Sequence, residues 1–527
     1  MIVINSAAYV IPEFRGEFGR IPPCLLPLGN RKLVEYQVPM LRKACSEQIY
    51  VSLPEGYELT IDETHVFETL AIQPVYVPEQ LSLAEALLFV LNTVSVHDNF
   101  NEPLRLLHGD TLLDAIPQTL DTICVARSDD DYNWESEHNA ADSPLVWCGY
   151  FSFSSPRHFM RSLALSQGNF VKSVRLYSDL KKLTLEETSG WHDLGHVNTY
   201  FSSRSKITTQ RIFNDLRIEN GTVWKSGIEH RKIAAESNWF KSLPVALRRY
   251  TPQLIDSGVN AKTGAPYYIL EYLPCSPLNE VFVHGRNPDF YWRRIFKLAS
   301  EFLSEARSCA DGCVSEAQMA SMSADARDLY ENKTYARLDK YASTVGLSLD
   351  KPLSYGNRKI GSLLDIAKTC ILRTLELPLI TAVVHGDFCF SNILFDSRSI
   401  SLKVIDPRGL NQKQEHTLFG DQKYDLAKIC HSVVGLYDFI IAGRFQILRD
   451  ESMSPTIRFR TDERLLNIQK SFLSFEFLPG IAGKEILPLT VLLFLSMLPL
   501  HSDRPDRQEA MLVNALRLYD EYVTPAA

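Results

Sequence analysis

At 527 residues the chain is well past the size at which one hydrophobic core stops growing, so two or three domains are expected. Hydrophobic residues at 45% and charged residues at 22% describe a soluble globular protein. A formal net charge of −8 excludes a general nucleic-acid binder, which needs a basic face to displace counterions, but leaves room for a small phosphorylated ligand. Ten cysteines without a C-x-x-C pair are too sparse for a disulfide scaffold and argue against structural zinc. The opening MIVINSAAYVIPEF has no basic n-region and no cleavage site, so no signal peptide is expected. The longest apolar run, ILPLTVLLFLSMLPL from Ile486 to Leu500, is shorter than the ~20 residues of a membrane span. It is bracketed by Pro488 and Pro499 and is expected to be a buried helix. A cytoplasmic protein without a membrane partner is expected.

In chain order, Met1–Asn5 is a strand-like apolar run and Arg31–Lys43 has helical spacing through Leu33, Val34, Val38 and Leu41. Ile49–Leu53 is a second strand, Leu81–Leu91 a helix and Leu104–His108 a further strand. Such β-α-β alternation predicts an α/β, doubly wound, Rossmann-like domain over residues 1–210. Ligands of such sheets bind beyond the carboxyl ends of the strands. Ser128–Asp142 is acidic and polar, as in a solvated loop, yet its Tyr132 and Trp134 are costly to expose. Near residue 210 the pattern changes. Asn214–Glu219 and Thr222–Lys225 flank Asn220-Gly221, a strong hairpin signal. Glu229–Leu243 then reads as a helix through Ile233, Ala234, Trp239 and Phe240, and helices dominate from Phe290. The second domain is expected to be α+β and two-lobed, with one lobe over 211–275 and the other over 276–527.

The segment VVHGDFCFSNILFD (Val383–Asp396) is a strand, a polar turn and a second strand, and LKVIDPRG (Leu402–Gly409) is a strand ending in an aspartate. Phosphoryl transfer needs a carboxylate to orient the attacking hydroxyl, oxygen ligands for Mg²⁺ and a cation on the nucleotide phosphates. Asp387 supplies the first; Asn392, five residues on, and Asp406, 19 residues on, supply the second. The pattern H-G-D-x-x-x-x-N followed by Ile405-Asp406 resembles the aminoglycoside phosphotransferase and choline kinase superfamily. That resemblance implies Asp387 as catalytic base, Asn392 and Asp406 as magnesium ligands, and ATP as phosphoryl donor. Asp421 and Tyr424-Asp425-Leu426-Ala427-Lys428 look like the segment that buttresses the catalytic loop. Upstream, Lys225 resembles the strand lysine on the nucleotide phosphates, with Lys232 a competing cation. Glu236 resembles its helical partner, and Tyr267–Leu273 the hinge strand, with adenine bound near Glu271 and Leu273. His385 is expected to pack and hydrogen-bond rather than carry protons. The loop over the phosphates is not glycine-rich; only Asn220-Gly221 stands there.

In the first domain LLHGDTLLD (Leu106–Asp114) ends a strand in His-Gly-Asp-Thr, and WHDLGHVNTYFSS (Trp191–Ser203) carries Asp193. Strand-end aspartates of this kind bind a metal that bridges a nucleoside triphosphate. With PPCLLPLGNRKLVEYQ (Pro22–Gln37), these segments resemble the sugar-phosphate nucleotidyltransferases. The resemblance implies Asp110 and Asp193 as magnesium ligands and CTP or another nucleoside triphosphate as substrate. The chain departs from that pattern at Ser6–Arg20, which keeps only Gly16 and Gly19 and offers Arg15 and Arg20 as cations, and at Pro23-Cys24, where the family has a lysine. Three roles stay open: an active nucleotidyltransferase, an inactive domain that binds a nucleotide-linked ligand, and a scaffold. Arg31 and Lys32 are candidates for a substrate phosphate, and Gly149-Tyr150, Lys172, Arg175, Lys181 and Lys182 for the acceptor side.

Together the two resemblances imply an ATP-dependent kinase for a hydroxyl of a sugar, polyol or amino alcohol. Its fused partner would couple the product to a nucleotide, as in the supply of precursors for surface polysaccharides or capsules. The alternatives are an antibiotic-modifying phosphotransferase, which an acidic acceptor pocket would favour, and a non-catalytic sensor of nucleotide sugars. Trp292, Tyr330, Tyr335, Tyr437 and Asp438 are candidates for the acceptor pocket.

Overall fold

The computed structural model describes residues 1–95, 102–128, 130, 132–137, 144–208, 216–451 and 453–524. The boundary expected near residue 210, and parts of the acidic segment 128–142, lie outside the described residues. By internal packing the chain divides into one unit of Met1–Thr208 with His284–Arg286 and a second of Thr209–Val283 with Asn287–Ala527.

The first unit is built on a twisted sheet. Its strand order is Thr184–Glu187, Thr122–Arg127, Leu145–Phe153, Leu104–His108, Ile2–Asn5, Ile49–Pro54 and Ile72–Val77. All pairings along this path are parallel except those of Leu145–Phe153, which runs antiparallel to both neighbours. The central strands are continuous apolar runs because both faces are covered. Val3, Leu104, Leu106 and Val125 pack with Leu87, Val90, Phe159 and Val174 on one face, while Ile2, Ile4, Val51 and Leu107 are buried on the other. Ile2–Asn5 pairs with Ile49–Pro54 on one side and Leu104–His108 on the other, so the strand order reverses there. The crevice at such a reversal is where doubly wound sheets take ligands. The expected helix from Arg31 begins only at Val34. Gly29, at φ +65, turns the chain so that Arg31–Lys32 pairs back on Pro27–Leu28 as a short hairpin. In the acidic segment Ser136–Glu137 adds an edge strand against Leu145–Val146 instead of standing in solvent.

The second unit opens with a four-stranded antiparallel sheet in the order Leu216–Glu219, Thr222–Lys225, Pro266–Glu271 and Leu254–Val259. Asn220 and Gly221, at φ +50 and +71, make the tight turn between the first two strands, as their sequence predicts. The helix His230–Ser242 follows, and its Ile233, Trp239 and Phe240 are buried. The remainder is helical with several short ladders, two of which position the site. Thr381–Val383 pairs with Phe419–Asp421, and Ile393–Asp396 lies between Ser276–Pro277 and Ser401–Val404. The long apolar run forms the buried helix Leu487–Met497. Among the described residues no helix is long and apolar enough to cross a membrane.

Candidate functional site

His385-Gly386-Asp387 follows the strand Thr381–Val383 and is held by the helix Lys423–Val433. In the first turn of that helix Asp425 accepts hydrogen bonds from the backbone N–H groups of His385 and Gly386, both at 2.8 Å. His385 is fully buried, and burial holds its pKa down at about 4. The neutral ring accepts from the Asp387 N–H at Nδ1 (3.3 Å) and donates from Nε2 to the Ile405 carbonyl (2.9 Å). Two backbone bonds, Ile405 N–H to Asn392 O at 3.0 Å and Arg408 N–H to His385 O at 2.8 Å, complete the link between the two loops. His385 is therefore a strut that ties the Asp387 loop to the Asp406 strand end.

Two polar side chains hold Asp387. Asn392 donates its amide to the Asp387 carboxylate at 3.0 Å and to its carbonyl at 2.9 Å, which turns the Asn392 oxygen away from both. Lys428, one turn after Asp425, ion-pairs with Asp387 at 2.8 Å. Desolvation pushes the Asp387 carboxyl up, but Lys428, His385 and Asn392 together outweigh it and the pKa ends below its ordinary value. The group is thus ionised at neutral pH. The sequence reading placed Lys428 only in a buttressing segment. Its three-residue spacing from Asp425 was the available signal, since both then lie on one helix face.

Lys225, Glu236 and Asp406 meet at one point. The Lys225 ammonium lies 2.7 Å from Glu236 and 2.9 Å from Asp406, and Tyr268 donates to Glu236 at 2.7 Å. Burial would lower the Lys225 pKa, but the charges of Asp406 and Glu236 outweigh it and keep the ammonium charged. Asp406 sits at φ +57, a conformation that side-chain-bearing residues adopt at a cost of about 1–3 kcal/mol. Lys232, the competing cation, lies on the surface near Glu229, 3.8 Å away. At the hinge the Glu271 N–H is taken by the Gln253 carbonyl (2.9 Å) and the Leu273 carbonyl by the Cys275 N–H (2.8 Å), so neither of those groups is available to adenine.

In the first unit Asp110 follows the strand Leu104–His108, and Trp191–Asp193 pairs with Thr111–Leu113 so that Asp193 stands beside Thr111. Both carboxylates converge on Gly195: a Cβ there would lie 2.6 Å from Asp110 Oδ2 and 3.5 Å from Asp193 Oδ1. Burial, then the charge of Asp193, pushes the Asp110 carboxyl up to about 6. Asp193 is held by His196 at 2.8 Å and by the Thr199 hydroxyl. Tyr132 stacks on His196 with ring centres 4.1 Å apart, and Trp134 packs edge-on to Trp191 at 5.0 Å, so the two aromatics of the acidic segment cover this site. Beside it opens a cleft of about 630 Å³ bordered by Asp193, Trp134, Trp191, Arg127 and Lys206.

Several sequence expectations are redistributed. Arg20 forms a bidentate pair with Glu79 (2.9 and 3.0 Å) and lies over the Tyr9 ring, and Arg15 donates to the Val10 carbonyl at 2.8 Å. Within Ser6–Arg20, the segment expected to offer both cations, Pro12–Phe18 forms a short helix that carries Arg15. Cys24, at the family's lysine position, is fully buried, and its N–H donates to the Ser6 hydroxyl at 3.0 Å. Lys32 is buried against Glu63 at 2.8 Å. Gly149 packs against Thr111 and His108, Tyr150 is buried, and Arg175 pairs with Glu135 and Glu137. In the second unit Trp292 and Tyr330 belong to the core, the latter bonded to Asp421 at 3.0 Å. Tyr437 stacks on His431 at 4.2 Å, and Asp438 is buried with its pKa raised to about 7 by burial.

Both oxygen-donor sets, Asp110 with Asp193 and Asn392 with Asp406, suit a hard cation such as Mg²⁺, which keeps few protein ligands and fills its shell with phosphate and water. Among the described residues no cluster of three or more His, Cys, Asp or Glu side chains forms a dedicated metal cage.

Fold and site together define a nucleotidyltransferase-like unit fused to a kinase-like unit. Against solved structures, the first is similar to a nucleoside-diphosphate-sugar pyrophosphorylase from Vibrio cholerae (14% identity, 39% of this chain and 99% of that one, TM-score 0.33). The second is similar to a choline/ethanolamine kinase family protein from Mesorhizobium loti (13% identity, 63% and 96%, TM-score 0.32). It is also similar to a thermostable mutant of an aminoglycoside phosphotransferase (13% identity, 59% and 95%, TM-score 0.33). No protein-family model and no curated protein matches the sequence.

Proposed function

We propose that residues 211–527, as a lobe over 211–275 and a lobe over 276–527, transfer a phosphoryl group from ATP to a hydroxyl of a small metabolite. The observation that carries this reading is the convergence of Lys225, Glu236 and Asp406 beside a loop that presents Asp387 and Asn392. In it Lys225 holds the nucleotide phosphates, Glu236 keeps that ammonium in place, and Asp387 accepts the hydroxyl hydrogen bond and aims its oxygen. Adenine would bind at the Glu271–Leu273 backbone through the groups left over there, the Glu271 carbonyl and the Leu273 N–H. Asn392 and Asp406 would hold Mg²⁺, which when bound neutralises charge on the transferring group. The test is product analysis after incubating the full chain with Mg·ATP and a panel of sugars, polyols and amino alcohols. Phosphorylation by wild type and none by Asp387→Asn is expected; equal rates of ATP loss in both would overturn the reading.

For residues 1–210 we infer a nucleotide site at Asp110 and Asp193, which would hold Mg²⁺ on a triphosphate such as CTP. In an active transferase the phosphorylated product becomes a nucleotide-linked precursor of the kind used for surface polysaccharides. The buried Cys24 and the Arg20–Glu79 pair favour a second reading, in which this unit binds a nucleotide-linked ligand without turnover. Pyrophosphate release with CTP and the phosphorylated product decides between them. Its loss in Asp110→Ala is expected for the first reading, and ligand-induced thermal stabilisation without release for the second.

A further inference from the structure

The helix Lys333–Val345 carries Lys333 and Arg337 one turn apart on one face. Lys333 is within electrostatic reach of Arg408, Arg337 and Lys428, and of the carboxylate of Asp387. Arg337 is in turn within reach of Arg408 and Tyr424. Arg408 is fixed by its own backbone bond to His385 and by packing on Gly386, where a Cβ would lie 2.7 Å from the Arg408 Cβ. Lys428 completes the group through its 2.8 Å pair with Asp387. Asp387 thus pairs with Lys428 and is within reach of Lys333, while Arg408 and Arg337 stand next to Lys333.

The two arginines have neutral partners. Arg337 donates to the Ser496 carbonyl at 2.7 Å, and Arg408 donates to the side-chain oxygen of Gln412. Among the described residues neither arginine nor Lys333 is ion-paired to a carboxylate. A small cleft of about 70 Å³ opens at Arg408, bordered also by Gly386, Gln412 and Tyr424. The two carboxylates on its rim are matched elsewhere: Asp421 with Lys423 at 2.8 Å, and Asp325 with Lys413 at 3.7 Å. A cluster of unmatched cations at a half-buried position is unfavourable in the empty protein. Burial and the neighbouring cations hold Lys333 down at about 6. Such an arrangement has a physical reason if an anion visits.

We propose that the acceptor of the kinase-like unit carries an anionic group, carboxylate or phosphate, beside the hydroxyl that is phosphorylated, and that Lys333 and Arg408 bind that group. Arg337 supports them from the same helix face. The inference rests on the kinase reading, with Asp387 directed at the acceptor hydroxyl. It specifies a hydroxy acid or a polyol or sugar phosphate, and sets aside the free amino alcohols.

The experiment uses the full chain with Mg·ATP and acceptors matched except for charge. The neutral arm is glycerol, ribitol and glucose; the carboxylate arm is glycerate, ribonate and gluconate; the phosphate arm is glycerol 3-phosphate, ribitol 5-phosphate and glucose 1-phosphate. Ethanolamine and serinol form the cationic arm. One anionic arm is expected to give a kcat/KM at least tenfold above its neutral match. In Lys333→Met and Arg408→Gln the KM for that acceptor is expected to rise at least tenfold, with little change in KM for ATP. Best turnover with neutral or cationic acceptors overturns this inference and leaves the kinase reading standing. So does a rise confined to the KM for ATP, which would assign the cations to the nucleotide. Turnover with none of the arms overturns the kinase reading and this inference with it.

Discussion

Lys225→Met tests the centre of the kinase-like unit through stability as well as activity. The lysine is 4% exposed and Glu236 1%, and they meet at 2.7 Å. Removing the ammonium leaves the Glu236 carboxylate buried with the Tyr268 hydroxyl as the donor in view, and leaves Asp406 without its 2.9 Å partner. Breaking one side of a buried pair costs about 3–5 kcal/mol, mostly because the remaining charge is uncompensated. For a unit of roughly 300 residues, 1 kcal/mol moves the melting temperature by about 1–2 °C, so a fall of about 3–10 °C is expected. The double variant Lys225→Met with Glu236→Gln removes the orphan charge and is expected to recover half of that loss or more. Neither variant should regain phosphoryl transfer, since the cation on the nucleotide phosphates is gone in both. Thermal melts of the full chain, followed on the transition that Mg·ATP shifts, read both effects. A single variant that melts within 1 °C of wild type, or a double variant no more stable than the single, would refute the assignment of a strained, matched charge centre.

Asp387→Asn keeps the shape and the Asn392 contact but removes the orienting charge, and a loss of about 10²–10⁴-fold in kcat is expected, with ATP binding retained in a direct titration. Gly195→Ala drives a methyl to within 2.6 Å of Asp110 Oδ2. It is expected to abolish nucleotide binding by residues 1–210 while kinase turnover continues, measured as CTP-dependent thermal stabilisation beside ATP consumption. The pH dependence of acceptor binding follows from Lys333, whose pKa is lowered to about 6 by burial first, then by Arg408, Arg337 and Lys428, and opposed by Asp387. Below that value the ammonium is already present and an anion binds it directly. Above it, binding must take up a proton, so affinity for the anionic acceptor falls by up to tenfold per pH unit as pH rises from 6. Calorimetry in buffers of differing ionisation enthalpy should record uptake of nearly one proton at pH 7.5, and none in Lys333→Met.

The sequence was most informative where chemistry imposes spacing. Asp387, Asn392 and Asp406 stand in a fixed order because one loop and one strand end must face each other, and the His385–Ile405 bond shows the strut that sets that spacing. Asn220-Gly221 was legible for a local reason: few residue pairs accept positive φ at both positions of a two-residue turn. Less legible were contacts whose partners are far apart in the chain. Nothing local predicts that Arg20 would close on Glu79 or Lys32 on Glu63, and both appeared as free phosphate-binding cations until the fold supplied their carboxylates. Trp292 and Tyr330 were candidates for a pocket because an aromatic residue at helical spacing suits a pocket wall and a core equally. Lys333 and Arg408 were invisible for the opposite reason: ordinary surface residue types, they gain meaning only when a helix and a loop 75 residues apart in sequence come within reach of each other near Asp387.

The charge around Asp387 also separates the functional alternatives. A phosphotransferase for polycationic drugs needs an acidic acceptor pocket, because each ammonium of the drug must be matched as it leaves water. Here Lys428 pairs with the Asp387 carboxylate, Arg408 packs on the neighbouring Gly386 and Lys333 is within reach of both, while the bordering acids Asp325 and Asp421 already have partners. A polycation entering this site would meet like charge at about 4–8 Å, a penalty of about 2–4 kcal/mol per pair at the effective dielectric of a protein surface. The same cations favour an acceptor that brings its own negative charge. They also bear on the pairing of the two units, since a metabolite with an anionic group and a new phosphate is chemically suited to a nucleotidyl transfer at the second. The Asp110–Asp193 pair then matters less as a relic of fold than as the point where the product of Asp387 would be consumed, and loss of pyrophosphate release in Asp110→Ala with phosphorylation intact would show the two steps in that order.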